Sequence, residues 1–330
     1  MVRMLRLHRF EGPAGLQIDD LPEKTPGPGE IRIKTDAFAL NYGDLLLMEN
    51  KYVFDITLPS PICDEAVGTV DAIGEGVTSH TIGDRVSTLP FMNEGYQVSG
   101  ESFTVPAEFA VSYPEKLNNA EACSIWVQYL TAYYPMVKLS NLNEGDWILI
   151  TAGASSAGAA ALEICRMLEL NTIATTRTET QFDYLYKCGA TKAIVPGEDF
   201  ADQINAITSG RGVKTVYDPV GDPLLGKYAD ALAKNAQIFL YGSLDSTPDI
   251  VPITPMIKAA AILRPYSVYH HIYDPAQRAE AVKFVFDALQ CGDLKPNVDK
   301  VVPFDRFMEA YEYQVAGKNR RGKIVISMDS

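Results

Sequence analysis

A turn of small residues in the middle of the chain has the composition of a dinucleotide site. The apolar stretch 147–150 (WILI) is followed by the turn 151–158 (TAGASSAG) and then by a helical pattern. A pyrophosphate must approach the amide groups of a helix N-terminus closely, so bulky side chains are excluded there. Gly153, Ser155 and Gly158 keep the G-x-G-x-x-G spacing with serine in the middle position. The segment predicts a bound dinucleotide.

The residues after the next strand indicate which dinucleotide is bound. An NAD site presents Asp or Glu to the ribose hydroxyls at this point. This chain has Thr176 and Arg177 instead. A guanidinium pairs with a phosphate through two hydrogen bonds, so we expect NADP(H), with Arg177 at the 2′-phosphate. A solvent-exposed surface arginine is the alternative interpretation.

Composition limits the classes of protein that remain. The 330 residues suit two domains, and the net charge of −13 argues against a nucleic-acid partner. No apolar run reaches the roughly 18 residues of a membrane span, and the N-terminus lacks a signal peptide's apolar core. The five scattered cysteines favour free thiols in a reducing compartment. We therefore expect a cytoplasmic protein with no membrane partner.

The sequence shows two different secondary-structure patterns. The first part is rich in Gly and Pro, with strands predicted at 30–34, 66–73, 85–88 and 103–110 before a helical stretch at 119–139. Strand–helix alternation follows, with strands at 147–151, 172–176, 193–195, 213–218 and 236–241 and helices at 157–170, 179–187, 200–208 and 223–232. Such alternation builds a parallel sheet that binds ligands at the carboxyl ends of its strands. The tail predicts a helix at 275–290, a strand at 300–303, a helix at 305–316 and a strand at 323–327.

A series of motifs in register resembles the medium-chain dehydrogenase/reductase superfamily, in its zinc-free quinone oxidoreductase branch. The resemblance covers essentially the whole chain. Its residues are 39–44 (ALNYGD), Tyr52 with 58–61 (LPSP), 65–70 (EAVGTV), 74–77 (GEGV), 83–86 (GDRV), 130–133 (LTAY), 145–146 (GD), 263–265 (LRP) and 317–325 (GKNRRGKIV).

The resemblance implies an α/β fold with two domains. A GroES-like β-rich catalytic domain would comprise residues 1–123 and 266–330. A Rossmann domain with a doubly wound parallel sheet would comprise 124–265 and bind the cofactor, with the active site in the cleft between the domains. The implied reaction is hydride transfer from NADPH to a quinone, an enone or a similar activated double bond.

The resemblance also assigns cofactor contacts. Asn41 and Thr131 would contact the nicotinamide end, and Gly242 and Ser243 the nicotinamide ribose. The remaining contacts would be Ser155, Ser156, Ala157 and Gly158 at the pyrophosphate, Thr176 and Arg177 at the adenosine phosphate, and Arg264 and Asn319 closing over the cofactor.

Three residues are candidates for roles near the reacting groups. Tyr52 would give a hydrogen bond or a proton to the oxygen of the acceptor, with an aromatic side chain that only lines the cleft as the alternative. Asn41 would orient the carboxamide of the nicotinamide. Asp44 is better suited to stabilising the loop than to acting as an acid or a base.

We expect no metal site. Zinc-using relatives place ligands where this chain has Asn41, Asp64-Glu65 and Val127. Cys63, Asp64 and Glu65 are ligand types, but adjacent residues of a strand point to opposite faces and cannot converge on one ion. Cys63 and Asp64 also stand where the branch usually has glycine and an apolar or small residue. A buried Asp64 would need a partner, or its pKa would rise.

Two other functions remain open, as does the substrate. One is an enoyl-thioester reductase of fatty-acid or polyketide type, and the other is a non-catalytic NADPH-binding regulatory protein. The resemblance further implies a homodimer, in which a last Rossmann strand near 261–264 pairs across the interface.

Overall fold

The computed structural model describes residues 1–91, 96–244, 250–317 and 320–329. Contacts divide the chain into two compact units: Met1–Val127 with Ile272–Pro275 and Pro296–Ser330, and Gln128–His271 with Ala276–Lys295. The domain boundaries expected from the sequence, which assign all of 266–330 to the first domain, stay a prediction.

The strands of the described residues are numbered in chain order. They are β1 Val2–Leu7, β2 Leu16–Leu21, β3 Glu30–Leu40, β4 Ser60–Pro61, β5 Ala66–Ile73, β6 Arg85–Thr88, β7 Ser102–Pro106, β8 Ala110–Val111, β9 Trp147–Ile150, β10 Asn171–Thr175, β11 Lys192–Ile194, β12 Val213–Asp218, β13 Leu232–Leu240, β14 Ile262–Pro265, β15 Val298–Pro303 and β16 Lys323–Ser327.

The helices are numbered in the same way. They are α1 Tyr42–Met48, α2 Asn119–Ala122, α3 Trp126–Tyr133 (continued by a π-helical segment, Tyr134–Leu139), α4 Ser156–Met167, α5 Phe182–Cys188, α6 Phe200–Ile207, α7 Leu224–Tyr228, α8 Ile253–Ala259, α9 Tyr269–Ile272, α10 Pro275–Cys291 and α11 Phe307–Ala316. Within the described ranges, no helix is long and apolar enough to cross a membrane.

The first unit contains two β-sheets. A three-stranded sheet has the order β2-β1-β4, and a seven-stranded sheet has the order β15-β16-β3-β5-β6-β8, with β7 also paired to β3. Along β3, Ile31 and Ile33 are fully buried while Lys34 is exposed. This alternation is typical of a strand with one face on the core.

The single strand predicted at 103–110 is wrong in extent. The structure divides it into β7 and β8, separated by a short 3₁₀ turn, Ala107–Phe109. Pro106 ends β7, and proline has no N–H to continue a ladder of hydrogen bonds. The next amide, Ala107 N, donates to Gly29 O at 3.0 Å, away from the sheet.

The second unit is built on a six-stranded parallel sheet. Its strand order is β11-β10-β9-β12-β13-β14. The central strands are apolar on both faces, with Leu149, Ile173, Val216 and Ile238 fully buried. Counted from β9, this is the 3-2-1-4-5-6 order of the Rossmann fold. The predicted α/β class, with a β-rich first part and a parallel Rossmann-type sheet, is confirmed.

One buried ion pair joins separate segments of the first unit. Lys323 Nζ, at the start of β16, lies 2.7 Å from Glu65 Oε2, just before β5, and the two side chains are 1% and 0% exposed. Glu65 Oε1 accepts a hydrogen bond from Val127 N at 3.0 Å. Lys323 N donates to Asn297 O at 2.8 Å. The pair thus fixes the ends of two strands and the residue at the second position of α3.

Replacing one member of this pair should destabilise the protein strongly. We expect Lys323→Met to lower the free energy of unfolding by about 3–5 kcal/mol, because Glu65 would be left buried and uncompensated. The double variant Lys323→Met/Glu65→Gln should recover part of the loss, because glutamine keeps an acceptor for Val127 N without a charge. Urea denaturation measures both. Lys51→Met, which removes an exposed ion pair with Glu49, is the control and should change stability little. If Lys323→Met changed stability as little as Lys51→Met does, the argument would be contradicted.

Candidate active site

The small-residue turn lies between β9 and α4. Gly153 N donates to Thr175 O at 2.8 Å, which ties the turn to the end of β10. Ser155 is the N-cap of α4, and its Oγ accepts a hydrogen bond from Gly158 N at 3.1 Å. Serine, at the middle position of the motif, therefore caps the helix.

Close approach of neighbouring atoms excludes a side chain at Gly158 and leaves little space for one at Gly153. A Cβ at Gly158 would lie 2.7 Å from Ala152 O, and one at Gly153 would lie 3.1 Å from Ala174 Cβ. Ala152 itself has a positive φ of 47°. The backbone is thus compact at the N-terminus of a helix of 12 residues. This geometry fits a pyrophosphate, which needs close access to helix N-terminal amides.

Asp218, at the end of β12, organises the same edge of the sheet, and sequence reasoning missed it. Its Oδ1 accepts from Thr151 Oγ1 at 2.5 Å and from Val220 N at 2.8 Å, and its Oδ2 accepts from Tyr228 Oη at 2.9 Å. Burial raises the pKa of Asp218 above its usual value, and these hydrogen bonds offset only part of that effect. An aspartate that ends a buried strand before Pro219-Val220-Gly221 was the available signal.

The other predicted cofactor residues after β10 and β13 lie at the same edge. Thr176 and the exposed Arg177 follow β10, and Thr176 N donates to Ile194 O at 3.2 Å. Gly242 and Ser243 follow β13, where a Cβ on Gly242 would lie 3.1 Å from Pro219 O. Carboxyl ends of neighbouring parallel strands meet at one edge. The second unit therefore groups these residues with the turn at Gly153.

The remaining cofactor predictions are more scattered. Thr131 lies on α3, and Arg264 lies within β14, with its guanidinium 5.7 Å from the centre of the Phe239 ring. Asn319 lies outside the described residues. The assignment of all three residues to cofactor binding stays a prediction.

Asn41, in the first unit, has its backbone and side chain engaged by four residues. Its N donates to Asp44 Oδ2 at 2.7 Å, and its O accepts from Gln314 Nε2 at 2.8 Å. Its Oδ1 accepts a short hydrogen bond from Lys323 Nζ, and its Nδ2 donates to Asp64 Oδ1 at 3.2 Å. An ammonium group only donates, so Lys323 fixes which way the amide points.

Titratable groups are buried around Asn41. Asp44 is buried, and desolvation followed by the charge of Asp64 raises its pKa to about 8. Cys63 has a positive φ of 63°, and its Sγ lies 3.5 Å from Tyr311 Oη. Burial raises the pKa of the Cys63 thiol and of the Tyr311 hydroxyl well above their usual ranges. Both groups are therefore neutral at physiological pH.

Tyr52 lies against the first turn of α1. A Cβ on Gly43 would be only 2.7 Å from Tyr52 Oη, so glycine leaves the space that the phenol occupies. The ring also makes an edge contact with Phe54, with 5.5 Å between centroids. The structure thus brings Tyr52, Asn41 and Asp44 to one end of α1. Their catalytic roles stay predictions.

The described residues contain no cluster of metal ligands. Among them, no three or more His, Cys, Asp or Glu residues are placed to hold one ion. Asn41 and Asp64, at two positions where zinc-using relatives have ligands, are instead hydrogen-bonded to each other.

A parallel sheet with a small-residue turn of this kind is typical of dinucleotide-binding units, and the comparisons with known proteins are consistent with that class. The family model described as "Zinc-binding dehydrogenase" matches residues 157–286, and the one described as "Alcohol dehydrogenase GroES-like domain" matches residues 27–115. The 2-haloacrylate reductase of a Burkholderia species is 27% identical and covers 99% of both chains. The mouse synaptic vesicle membrane protein VAT-1 homolog is 30% identical over 98% of this chain and 83% of its own length.

A solved structure extends the similarity to the three-dimensional fold. A mycobacterial protein in complex with NADPH superposes with a TM-score of 0.89 at 26% identity, covering 99% of this chain and 100% of its own. The chain belongs to the medium-chain dehydrogenase/reductase superfamily, in its quinone oxidoreductase-like branch, as the motifs indicated. It is an oxidoreductase of that superfamily.

Asp44 should make stability depend on pH. Its folded pKa of about 8 lies above the unfolded value, so wild-type stability should fall as the pH rises from about 4 to about 8. Asp44→Asn cannot ionise, so its stability relative to wild type should increase across this interval and then level off. Urea denaturation at several pH values checks this. Asp20→Asn, at an exposed position of β2, is the control. A constant difference between Asp44→Asn and wild type would refute the expectation.

Proposed function

We propose that the protein is an NADPH-dependent reductase that transfers a hydride, without a metal, to a quinone, an enone or a similarly activated double bond. The observation that carries the proposal is the small-residue turn at the N-terminus of α4, with Arg177 after the next strand. Membership of the quinone oxidoreductase-like branch supports it. The relative named 2-haloacrylate reductase supports an acceptor with a conjugated double bond.

NADP(H) is supported by the chemistry of the sheet edge and by the mycobacterial structure that contains NADPH. We assign the pyrophosphate to the N-terminus of α4 and the 2′-phosphate to Thr176 and Arg177. The other cofactor assignments are Gly153 at the close turn, Ser155, Ser156, Ala157 and Gly158 at the pyrophosphate, Gly242 and Ser243 at the nicotinamide ribose, Asn41 and Thr131 at the nicotinamide, and Arg264 and Asn319 over the cofactor.

The chain's own groups would orient the acceptor. When bound, the dihydronicotinamide supplies the hydride. Asn41 has one side-chain N–H committed to Asp64, so its second N–H is the group it can offer as a donor to a carboxamide or an acceptor oxygen. Tyr52 would line this position and hydrogen-bond to the acceptor. Asp44 holds the turn through Asn41 N.

We also propose a homodimer and a cytoplasmic location. β14 is an edge strand of the six-stranded sheet in the described chain, and Ile253, Ile257 and Ile262 on α8 and β14 are all more than half exposed. Exposed apolar side chains beside a free strand edge favour association. All five cysteines are free thiols, which suits a reducing compartment.

The direct test is NADPH oxidation with a panel of small quinones, enones and enoyl thioesters, with NADH as the alternative donor. We expect quinones or enones to be reduced with NADPH preferred. Turnover of enoyl thioesters alone would favour the fatty-acid or polyketide alternative. NADPH binding with no turnover of any acceptor would favour a regulatory protein.

Arg177→Ala should separate the two dinucleotides. A hydrogen-bonded charge pair contributes about 1.5–3 kcal/mol, so the Kd for NADPH should rise about 10- to 100-fold. The Kd for NADH should stay nearly constant. Arg211→Ala is a matched control. Arg211 is also exposed, but it lies just before β12, at the amino ends of the strands, whereas Arg177 lies at their carboxyl ends. Equal losses for both cofactors would remove Arg177 from the 2′-phosphate.

Ile262→Lys should weaken a dimer formed through β14. A buried, unpaired ammonium at an interface is strongly unfavourable, so the variant should shift toward monomer. Light scattering coupled to size-exclusion chromatography measures this. Ile82→Lys makes the same change at an exposed isoleucine of the first unit. A monomeric wild type would refute the dimer.

A further inference from the structure

Two tyrosines are stacked at the edge of the sheet that carries the small-residue turn. Tyr217, in β12, and Tyr241, directly after β13, have ring centroids 4.0 Å apart and planes inclined by 20°. Tyr217 is in register with Phe239, and Tyr241 lies two residues beyond Phe239, so both side chains leave the sheet on the same face. The whole stack belongs to the second unit.

Backbone hydrogen bonds hold this stack beside the turn. Thr151 N, at the start of the turn, donates to Tyr217 O at 3.1 Å, and Tyr241 N donates to Asp218 O at 3.0 Å. Burial raises the pKa of the Tyr241 hydroxyl, and the neighbouring side chains of Tyr217 and Ser155 offset part of this effect. The Tyr241 hydroxyl therefore lies near the N-cap of α4 and keeps its proton at physiological pH.

Both phenol hydroxyls are buried without a hydrogen-bond partner. This holds for Tyr217 Oη and Tyr241 Oη among the residues that the structure describes. The carboxylate of Asp218, whose charge acts on Tyr241, is already engaged by the hydroxyls of Thr151 and Tyr228. A buried hydroxyl without a partner is unfavourable and is uncommon in folded proteins. The pair of tyrosines thus offers a donor that the fold itself does not use.

Access distinguishes the two hydroxyls. Tyr217 is 0% exposed, whereas Tyr241 is partly exposed and directly precedes Gly242. A molecule bound at the N-terminus of α4 can therefore reach Tyr241, with Tyr217 packed behind it. A phenol donates one hydrogen bond and carries no charge, so the ligand atom must be an acceptor. Phosphate oxygens are the acceptors that a helix N-terminus favours.

We propose that Tyr241 donates a hydrogen bond from its hydroxyl to the pyrophosphate of bound NADP(H), beside Ser155 at the N-terminus of α4. This inference rests on the proposed function, and it adds a phenol donor to a site otherwise made of the turn's own amides and serines. Tyr217 supports the Tyr241 ring from the core. Because NADPH and NADH share the pyrophosphate, Tyr241 adds affinity for both, whereas Arg177 separates them.

The test removes one hydroxyl at a time. Tyr241→Phe keeps the ring and its stack on Tyr217 and loses only the donor. Tyr217→Phe is the matched control, because it makes the same change to the enclosed ring of the same stack. Isothermal titration calorimetry measures three probes: NADPH, 2′-phospho-ADP-ribose, which has the pyrophosphate without the nicotinamide, and 2′-AMP, which has neither.

We expect Tyr241→Phe to raise the Kd for NADPH and for 2′-phospho-ADP-ribose by the same factor, about 10- to 100-fold. The reason is that a hydrogen bond to a charged group is lost. The Kd for 2′-AMP should not change, because this probe lacks the pyrophosphate. Tyr217→Phe should leave all three Kd values nearly unchanged.

The stability of the free protein gives a readout that separates binding from a structural role. A hydroxyl without a partner contributes nothing favourable to the folded state, so the urea midpoint of free Tyr241→Phe should equal or exceed that of wild type. A marked drop in this midpoint would show that the hydroxyl already stabilises the fold through an internal hydrogen bond, and would overturn the inference.

The binding outcomes that contradict the inference differ from those that contradict the proposed function. A wild type that binds NADPH, with Tyr241→Phe binding it equally tightly, would overturn the inference alone. A loss for NADPH without a loss for 2′-phospho-ADP-ribose would place the contact on the nicotinamide half and overturn the pyrophosphate assignment. An equal loss for 2′-AMP would indicate a general disturbance and would also overturn it. A wild type that binds none of the probes would overturn the cofactor of the proposed function, and the role of Tyr241 with it.

Discussion

The buried pair of Lys323 and Glu65 is the interaction on which the arrangement of the first unit depends. It joins two segments that are 258 residues apart in sequence, and it places a donor-only group against Asn41 Oδ1. A neutral, non-donating side chain at position 323 would leave Asn41 Oδ1 without this donor and would weaken the orientation of the amide. Because burying two charges is costly, such a pair is weak evidence for stability alone. Its specific effect here is to orient an amide at the end of α1.

In the second unit, Asp218 joins distant segments as the pair of Lys323 and Glu65 does in the first. It is also a buried acidic residue at a strand end, and it joins Thr151 of the small-residue turn to the loop after β12. Tyr241 N and Leu244 N in turn donate to the carbonyls of Asp218 and Pro219. Backbone segments that follow three strands are thus held relative to one another. A phosphate site made of backbone amides needs such support, because its donors cannot adjust as long side chains can.

The sequence predicted what depends on local pattern. Strand–helix alternation identified β9 to β13, and small residues at 151–158 identified the turn, because both follow from periodicity and steric exclusion. Residues whose importance lies in distant partners were missed: Asp218 is an ordinary strand-end aspartate, and Lys323 an ordinary first residue of a strand. The sequence pattern did not reveal the division of 103–110 into β7 and β8, whose one local signal is Pro106. The grouping of Tyr52 with Asn41 depends on the space left by Gly43, which spacing alone does not reveal.

Asp64 and Asp44 show how two neighbouring carboxyls can have different environments. From sequence, a buried Asp64 needed a partner or a raised pKa. In the structure Asp64 is partly exposed and has Asn41 as a partner, and the raised pKa belongs to Asp44, which is fully enclosed and feels the charge of Asp64. When two carboxyls interact, the more buried one pays the larger desolvation cost and keeps the proton. The position of the proton in such a pair therefore depends on depth more than on residue type.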